Sequence, residues 1–200
     1  MDIGVSMQDT ALVTEYPAAN KMNNPTNGEI LRNTVEAMIS YVKYEGHPVI
    51  VNNQGTLEII NFGFKLAYSS LIDLVDIRKH MTEYYEQNNI DISSLEELEH
   101  AEYSIITTKL YEKFKLFKQD KNSRQVLFTD NCCISMIQFL IRNNSILCFM
   151  NMRSSDVENK LFSDLYLIHR IIRKLQESEN LNCVKFMFNA NSLHKINYKL

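Results

Sequence analysis

The sequence predicts an α+β fold, with helices packed on a mixed sheet. Three observations predict it. Two β-prone runs, 134–141 and 146–152, flank the polar turn Arg142-Asn143-Asn144-Ser145, the ordinary signature of a hairpin. A second pair of short β-prone runs, 48–52 and 56–60, surrounds Asn53-Gln54-Gly55. Between and after these pairs, apolar residues recur at helical spacing, as at Leu165, Ile168, Ile171, Ile172 and Leu175.

In chain order, residues 1–28 are polar and irregular, with Pro17, Pro25 and Gly28, and read as a loose arm. Residues 29–200 read as a single domain. Thr26 with Glu29 three positions later forms a capping box, and Ile30, Leu31, Val35, Met38, Ile39 and Val42 follow as one helical face. Gly46, with Pro48 beyond it, ends that helix. Residues 62–74 are apolar without a clean period, and 77–87 read as a helix. Ser93 and Glu96 suggest a second capping box, opening a helix through about Phe117 with Leu110, Phe114 and Phe117 on one face. A polar break at 118–123 precedes a strand at 125–129 and the central hairpin. The helix at 163–176 and a last strand at 184–188 complete the chain, followed by Asn191-Ser192-Leu193-His194.

Two hundred residues are enough to bury one core without staples. The net charge of −3 argues against a general nucleic-acid-binding surface. Lys109, Lys113, Lys115, Lys118 and Lys121 alternate with aromatics, but Glu112 and Asp120 interrupt them, so a solvated amphipathic helix is favoured over a nucleic-acid helix. The four cysteines lack C-x-x-C spacing, and the five glycines are scattered, so neither a zinc site nor a phosphate-cradling loop is expected. No metal-ligand spacing involves His80 or His100. With no apolar run long enough to span a bilayer and no leader, a reduced, cytoplasmic protein is expected.

The central hairpin brings Cys133, just before its first strand, and Arg153-Ser154, just after its second, to the same end of one sheet. A thiolate is a covalent nucleophile. A guanidinium with a neighbouring hydroxyl matches phosphate oxygens. The bland alternatives are a small buried cysteine and a surface ion pair. Cys132 is the rival thiol, and Cys148 and Cys183 are expected in the core.

An ordered set of residues carries a resemblance. Asn122-Ser123-Arg124 precedes a strand. Cys133 follows, with Gln138 five residues on. Asn151-Met152-Arg153-Ser154-Ser155-Asp156 comes next, then Asp164, and Ser192-Leu193-His194 closes the series. In this order and spacing the chain resembles the thymidylate synthase superfamily. Within it, the bacteriophage deoxycytidylate (dCMP) hydroxymethylases are the closer likeness. The resemblance covers about residues 120–196 well, 29–66 loosely and 67–119 without a clear register.

The resemblance implies a thymidylate synthase-like mixed sheet that forms a two-fold dimer through the sheet. It implies a pyrimidine nucleoside monophosphate as substrate and 5,10-methylenetetrahydrofolate as one-carbon donor. Cys133 would add to C6 of the base. Arg153 and Ser154 would hold the phosphate, together with Arg124 from the partner subunit. Gln138 and Asp156 would shape the pocket, and His194 would meet a sugar hydroxyl. Asp164 stands where thymidylate synthases carry asparagine. A carboxylate accepts from the cytosine amino group and a protonated N3, but not from uracil, so dCMP is favoured over dUMP. Its alternative is an ordinary aspartate at a helix start.

Several family features are replaced. Val51 stands where a basic phosphate ligand is usual, Gln125 replaces a second arginine, and Ile196 replaces an aromatic. The family's essential glutamate falls at Met81, leaving Glu83 as a weak substitute. A segment that closes over folate is missing or very short before Leu200. Two readings therefore stand. One is a hydroxymethyltransferase making 5-hydroxymethyl-dCMP for phage DNA modification in the host cytoplasm. The other is a catalytically weakened relative that binds a pyrimidine nucleotide or a protein partner, as a homodimer or a heteromer. Plain thymidylate synthase is disfavoured by Asp164.

Overall fold

The computed structural model describes residues 25–196, without the side chains of residues 94–102 in its third helix. Residues 1–24 of the expected arm, and the last four residues, lie outside the described part. The element order is α1 (Asn27–Glu45), β1 (His47–Val51), β2 (Gln54–Tyr68), α2 (Leu74–Gln87), α3 (Ile92–Gln119), β3 (Leu127–Thr129), β4 (Ile134–Arg142), β5 (Ser145–Met152), β6 (Ser155–Asp156), α4 (Leu161–Glu179) and β7 (Cys183–Ile196). The strands form one mixed sheet in the order β1-β2-β7-β5-β4-β3, with β6 added beside β7. β7 runs antiparallel to β2 and parallel to β5 and β6. The α+β expectation is met.

Local signals explain most boundaries. The Thr26 hydroxyl accepts from the Glu29 amide at 3.2 Å, and the Glu29 carboxylate accepts from the Thr26 amide at 2.8 Å, completing the capping box. Asn143 and Asn144 both take left-handed conformations, with φ of 50° and 55°, as a two-residue hairpin turn requires. The first hairpin turns one step earlier than expected, at Asn52 and Asn53 with φ of 50° and 63°. Asparagine tolerates that region, so Gln54 and Gly55 are free to begin β2. α3 is capped by the Asp91 carboxylate, which accepts from the Ser93 amide, rather than by Ser93.

Helices α1, α3 and α4 pack on one face of the sheet, and α2 packs against α1 and α4. α4 buries Leu165, Ile168, Ile171, Ile172 and Leu175 completely. Each contributes about 1.5–3 kcal/mol relative to exposure. The opposite sheet face carries Leu140, Leu147, Phe149 and Met187, all half-buried. They are neighbours in register, Leu140 with Leu147 and Phe149 with Met187.

One transverse row crosses the sheet: Phe62, Ala190, Met152 and Ile134 are successive cross-strand partners, and all four are buried. At or beside this row the alternation slips by one residue in three strands. In β2 the buried series Phe62, Phe64, Leu66 and Tyr68 gives way, past Asn61 (φ 56°), to Leu57 and Ile59. In β7 the buried residue after Ala190 is Leu193. In β4 the step from Ile137 to Ile134 crosses a register shift. Such irregularities re-aim side chains and gather beside functional sites.

Candidate functional site

The residues singled out by the sequence gather mostly beyond this row. The Arg153 amide donates to the Cys133 carbonyl at 2.8 Å, because each lies one residue past the paired ends of β5 and β4. The Arg153 guanidinium donates to the Asn131 carbonyl at 3.1 Å, so its charge lies over the turn that presents the two adjacent cysteines. Cys133 and Arg153 are exposed, and Ser154 is half-buried. The Cys132 thiol is turned back to the Ile134 carbonyl at 3.1 Å, whereas Cys133 lends its carbonyl to Arg153. Cys148 is fully buried, and burial pushes its thiol well up. Cys183 is exposed at the start of β7, a correction to the expected core position. It precedes the first inward residue, Val184.

The segment from β6 to α4 is held at several points. Ser155 and Asp156 pair with Leu193 and His194, and the Val157 amide donates to the His194 carbonyl at 2.9 Å. Asp156 is buried and caps the turn that follows. Its Oδ1 accepts from the Glu158 and Asn159 amides, and its Oδ2 from the Asn159 side chain at 2.8 Å. Lys43 and Lys195 pair with Glu158, and the Tyr84 hydroxyl donates to the Glu158 carbonyl. Burial raises the Glu158 carboxyl, but these two lysines outweigh it and hold it low.

Asp164 lies in the first turn of α4 and is 8% exposed. A negative charge there complements the helix dipole. The Tyr85 hydroxyl accepts from the Ser163 amide at 3.0 Å. Burial pushes the Tyr85 phenol above its ordinary range, and the Asp164 charge adds to the push. Asp164 is thus an inward-facing carboxylate rather than a solvated one.

His194 sits on β7 opposite Glu58 of β2. The Ser192 hydroxyl donates to Glu58 Oε1 and lies 3.5 Å from His194 Nδ1. Sequence reasoning missed Glu58. Its hydrogen-bond partner Ser192 is 134 positions away, and only the observed β2–β7 register could show it.

Three residues lie apart from this group within one chain. The Arg124 carbonyl accepts from Gln138 Nε2 at 3.1 Å, which ties the segment before β3 to β4. The Val126 carbonyl accepts from the Phe139 amide. Arg124 is therefore several residues up β4 from Cys133, roughly 20 Å at the usual strand rise. Glu83 pairs with Arg32 at 3.8 Å, with Lys79 at 4.0 Å and with the His80 ring at 3.9 Å. It lines a shallow groove of about 520 Å³ on the outer side of α2, with Leu74, Val75, Lys79 and Tyr166. Met81 points into the core at 3% exposure. Among the described residues, no cluster of His, Cys, Asp and Glu could hold a metal, and no helix is long and apolar enough to cross a membrane.

The sequence matches no protein-family model and no curated protein. Among solved structures the chain is similar to the thermostable thymidylate synthase A from Bacillus subtilis. The TM-score is 0.57 at 10% identity, over 83% of this chain and 79% of that one. The fold is therefore thymidylate synthase-like, as the ordered residues implied.

Proposed function

We propose that this chain binds a pyrimidine nucleoside monophosphate at the Cys133 end of its sheet and acts on it as a dCMP hydroxymethylase. The observation that carries this is the joining of Arg153 to Cys133 at 2.8 Å. It joins the backbone of a residue bearing a phosphate-matching guanidinium to that of an exposed cysteine, on a thymidylate synthase-like fold. The Cys133 thiolate forms a bond to C6 of the base, and the C5=C6 electron pair moves to C5. Arg153 and Ser154 hold the phosphate, Asp156 fixes the surrounding backbone, Gln138 holds Arg124 in place, and His194 meets the sugar. The solvent side of the Cys133 thiol is open to a second ligand. Methylenetetrahydrofolate bound there would supply the methylene that becomes the hydroxymethyl carbon, leaving as tetrahydrofolate, with water supplying the oxygen. Loss of the C5 proton and expulsion of the thiolate restore the double bond.

Asp164 sets the base preference. It accepts from the cytosine amino group and from N3–H of the protonated base. Opposite uracil O4 a carboxylate is repulsive. The half-buried patch of Leu140, Leu147, Phe149 and Met187 is the face through which two copies pair. Arg124, tied to β4 through Gln138, would serve the partner's phosphate.

Titration calorimetry of dCMP and dUMP tests the reading. The wild type binds dCMP at least tenfold more tightly, a hydrogen-bonding difference of about 1.4 kcal/mol. Asp164→Asn inverts the order. Equal affinities in both proteins would remove Asp164 from the site. A second reading, nucleotide or partner binding without turnover, is favoured by one observation. Met81 is buried in the core at the family's glutamate position, and Glu83 is engaged by Arg32 and Lys79.

A further inference from the structure

Glu58, Ser192 and His194 form a directional chain on one face of the sheet. Glu58 and His194 are cross-strand partners, and Ser192 lies two residues before His194, so all three side chains share a face. Leu57 and Leu193, their neighbours in sequence, turn to the other face and are buried in the core. A serine hydroxyl has one proton to donate. Ser192 gives it to Glu58 Oε1. Towards His194 Nδ1, at 3.5 Å, the same oxygen can only accept, which favours the ring proton on Nδ1. The Nε2 lone pair is then left as an acceptor.

We infer that Glu58 is a positioning residue of the nucleotide site. Through Ser192 it fixes His194 in the Nδ1–H tautomer, so that Nε2 accepts from a sugar hydroxyl. This rests on the nucleotide-binding reading above and deepens it. The chosen ligand group is a hydroxyl donor, not a phosphate or a carbonyl. A neutral imidazole with the opposite tautomer would present N–H and repel that donor proton. The partners of His194 on the adjoining strand do not compete for Nδ1. Asp156 is its neighbour in β6, and both Asp156 oxygens are turned to the 158–159 segment, from which they accept.

The tautomer is read directly by long-range nitrogen–proton NMR of the ring, in the full chain. His194→Gln assigns the signal among the five histidines. The wild type shows protonated Nδ1. Ser192→Ala and Glu58→Ala both return His194 to the Nε2–H form that free histidine prefers, with folding checked by thermal melts. In calorimetry the two variants lose about tenfold in dCMP affinity, the size of one hydrogen bond. They lose nothing for dCMP lacking the 3′-hydroxyl. An Nε2–H ring in the wild type overturns the inference, as does a ring unmoved by both variants. Equal losses with and without the 3′-hydroxyl overturn the sugar role. If no nucleotide binds the wild type, the nucleotide reading fails, while the tautomer still decides the Glu58–Ser192–His194 chain alone.

Discussion

The amide of Arg153 donates to the carbonyl of Cys133 across 2.8 Å, locking together the residue before β4 and the residue after β5. The backbone positions that carry an exposed thiol and a guanidinium are thereby held together at the sheet's rim.

Alkylation of the native protein with iodoacetamide, followed by mass spectrometry, should sort the cysteines by burial. Cys132, Cys133 and Cys183 are exposed and react, whereas Cys148 is buried and reacts only after unfolding. Saturating dCMP slows Cys133 and leaves Cys183 unchanged. Equal protection of both thiols would place the nucleotide elsewhere.

Acid sensitivity should trace to His169. The ring is fully buried, its Nδ1–H donating to the Leu165 carbonyl at 2.6 Å and its Nε2 accepting from the Tyr68 hydroxyl at 2.8 Å. Burial pushes its pKa down to about 4, against the smaller upward pull of the Leu165 carbonyl. The unfolded ring titrates near 6.5, so the unfolded state gains the proton first as pH falls. Stability is therefore full above about 6.5 and is lost between there and about 4, by about 3 kcal/mol. Urea unfolding from pH 7 to 4 measures this, and His169→Gln flattens that part of the profile.

Ser155 makes the opposite kind of prediction. Its hydroxyl is buried without a hydrogen-bond partner among the described residues. Ser155→Ala removes an unsatisfied group and stabilises the fold by about 1 kcal/mol, seen as a higher urea midpoint. Affinity for dCMP stays unchanged, since Ser155 pairs with core-facing Leu193 rather than with His194. A lower midpoint would mean that the hydroxyl has a partner.

Gly63 is held to glycine by close approach. A Cβ there would lie 2.4 Å from Asn189 Oδ1 and 2.9 Å from the Phe188 carbonyl oxygen. Asn189 in turn donates to the Asn151 side chain at 3.1 Å. Gly63→Ala should cost about 1–3 kcal/mol by overpacking, measured by chemical denaturation.

The central hairpin was legible because Asn143-Asn144 suits its turn and Phe139, Ile141, Ile146 and Cys148 keep the period of two. The stretch from Phe62 to Tyr68 was not. Asn61 enters the left-handed region and shifts which positions face the core, so the alternation on either side of it is out of phase. The same slip hid the last turns of β7, where Ala190 and Leu193 are both buried three residues apart. Cys133, Arg153, Asp156 and Asp164 could be named because they lie within 32 residues of one another and their order is distinctive. Glu58 joins them only through the β2–β7 pairing. The ion pairs of Glu83 come from α1 and from its own helix, and no spacing in the sequence signals the former.

The most direct test of the account is tritium release from dCMP labelled at C5, with and without methylenetetrahydrofolate. Addition of Cys133 at C6 makes the C5 hydrogen labile, so release reports the first bond formed. Release is expected from dCMP but not from dUMP, dependent on the folate and abolished by Cys133→Ala. No release from either nucleotide, or undiminished release from the folded Cys133→Ala protein, would contradict it.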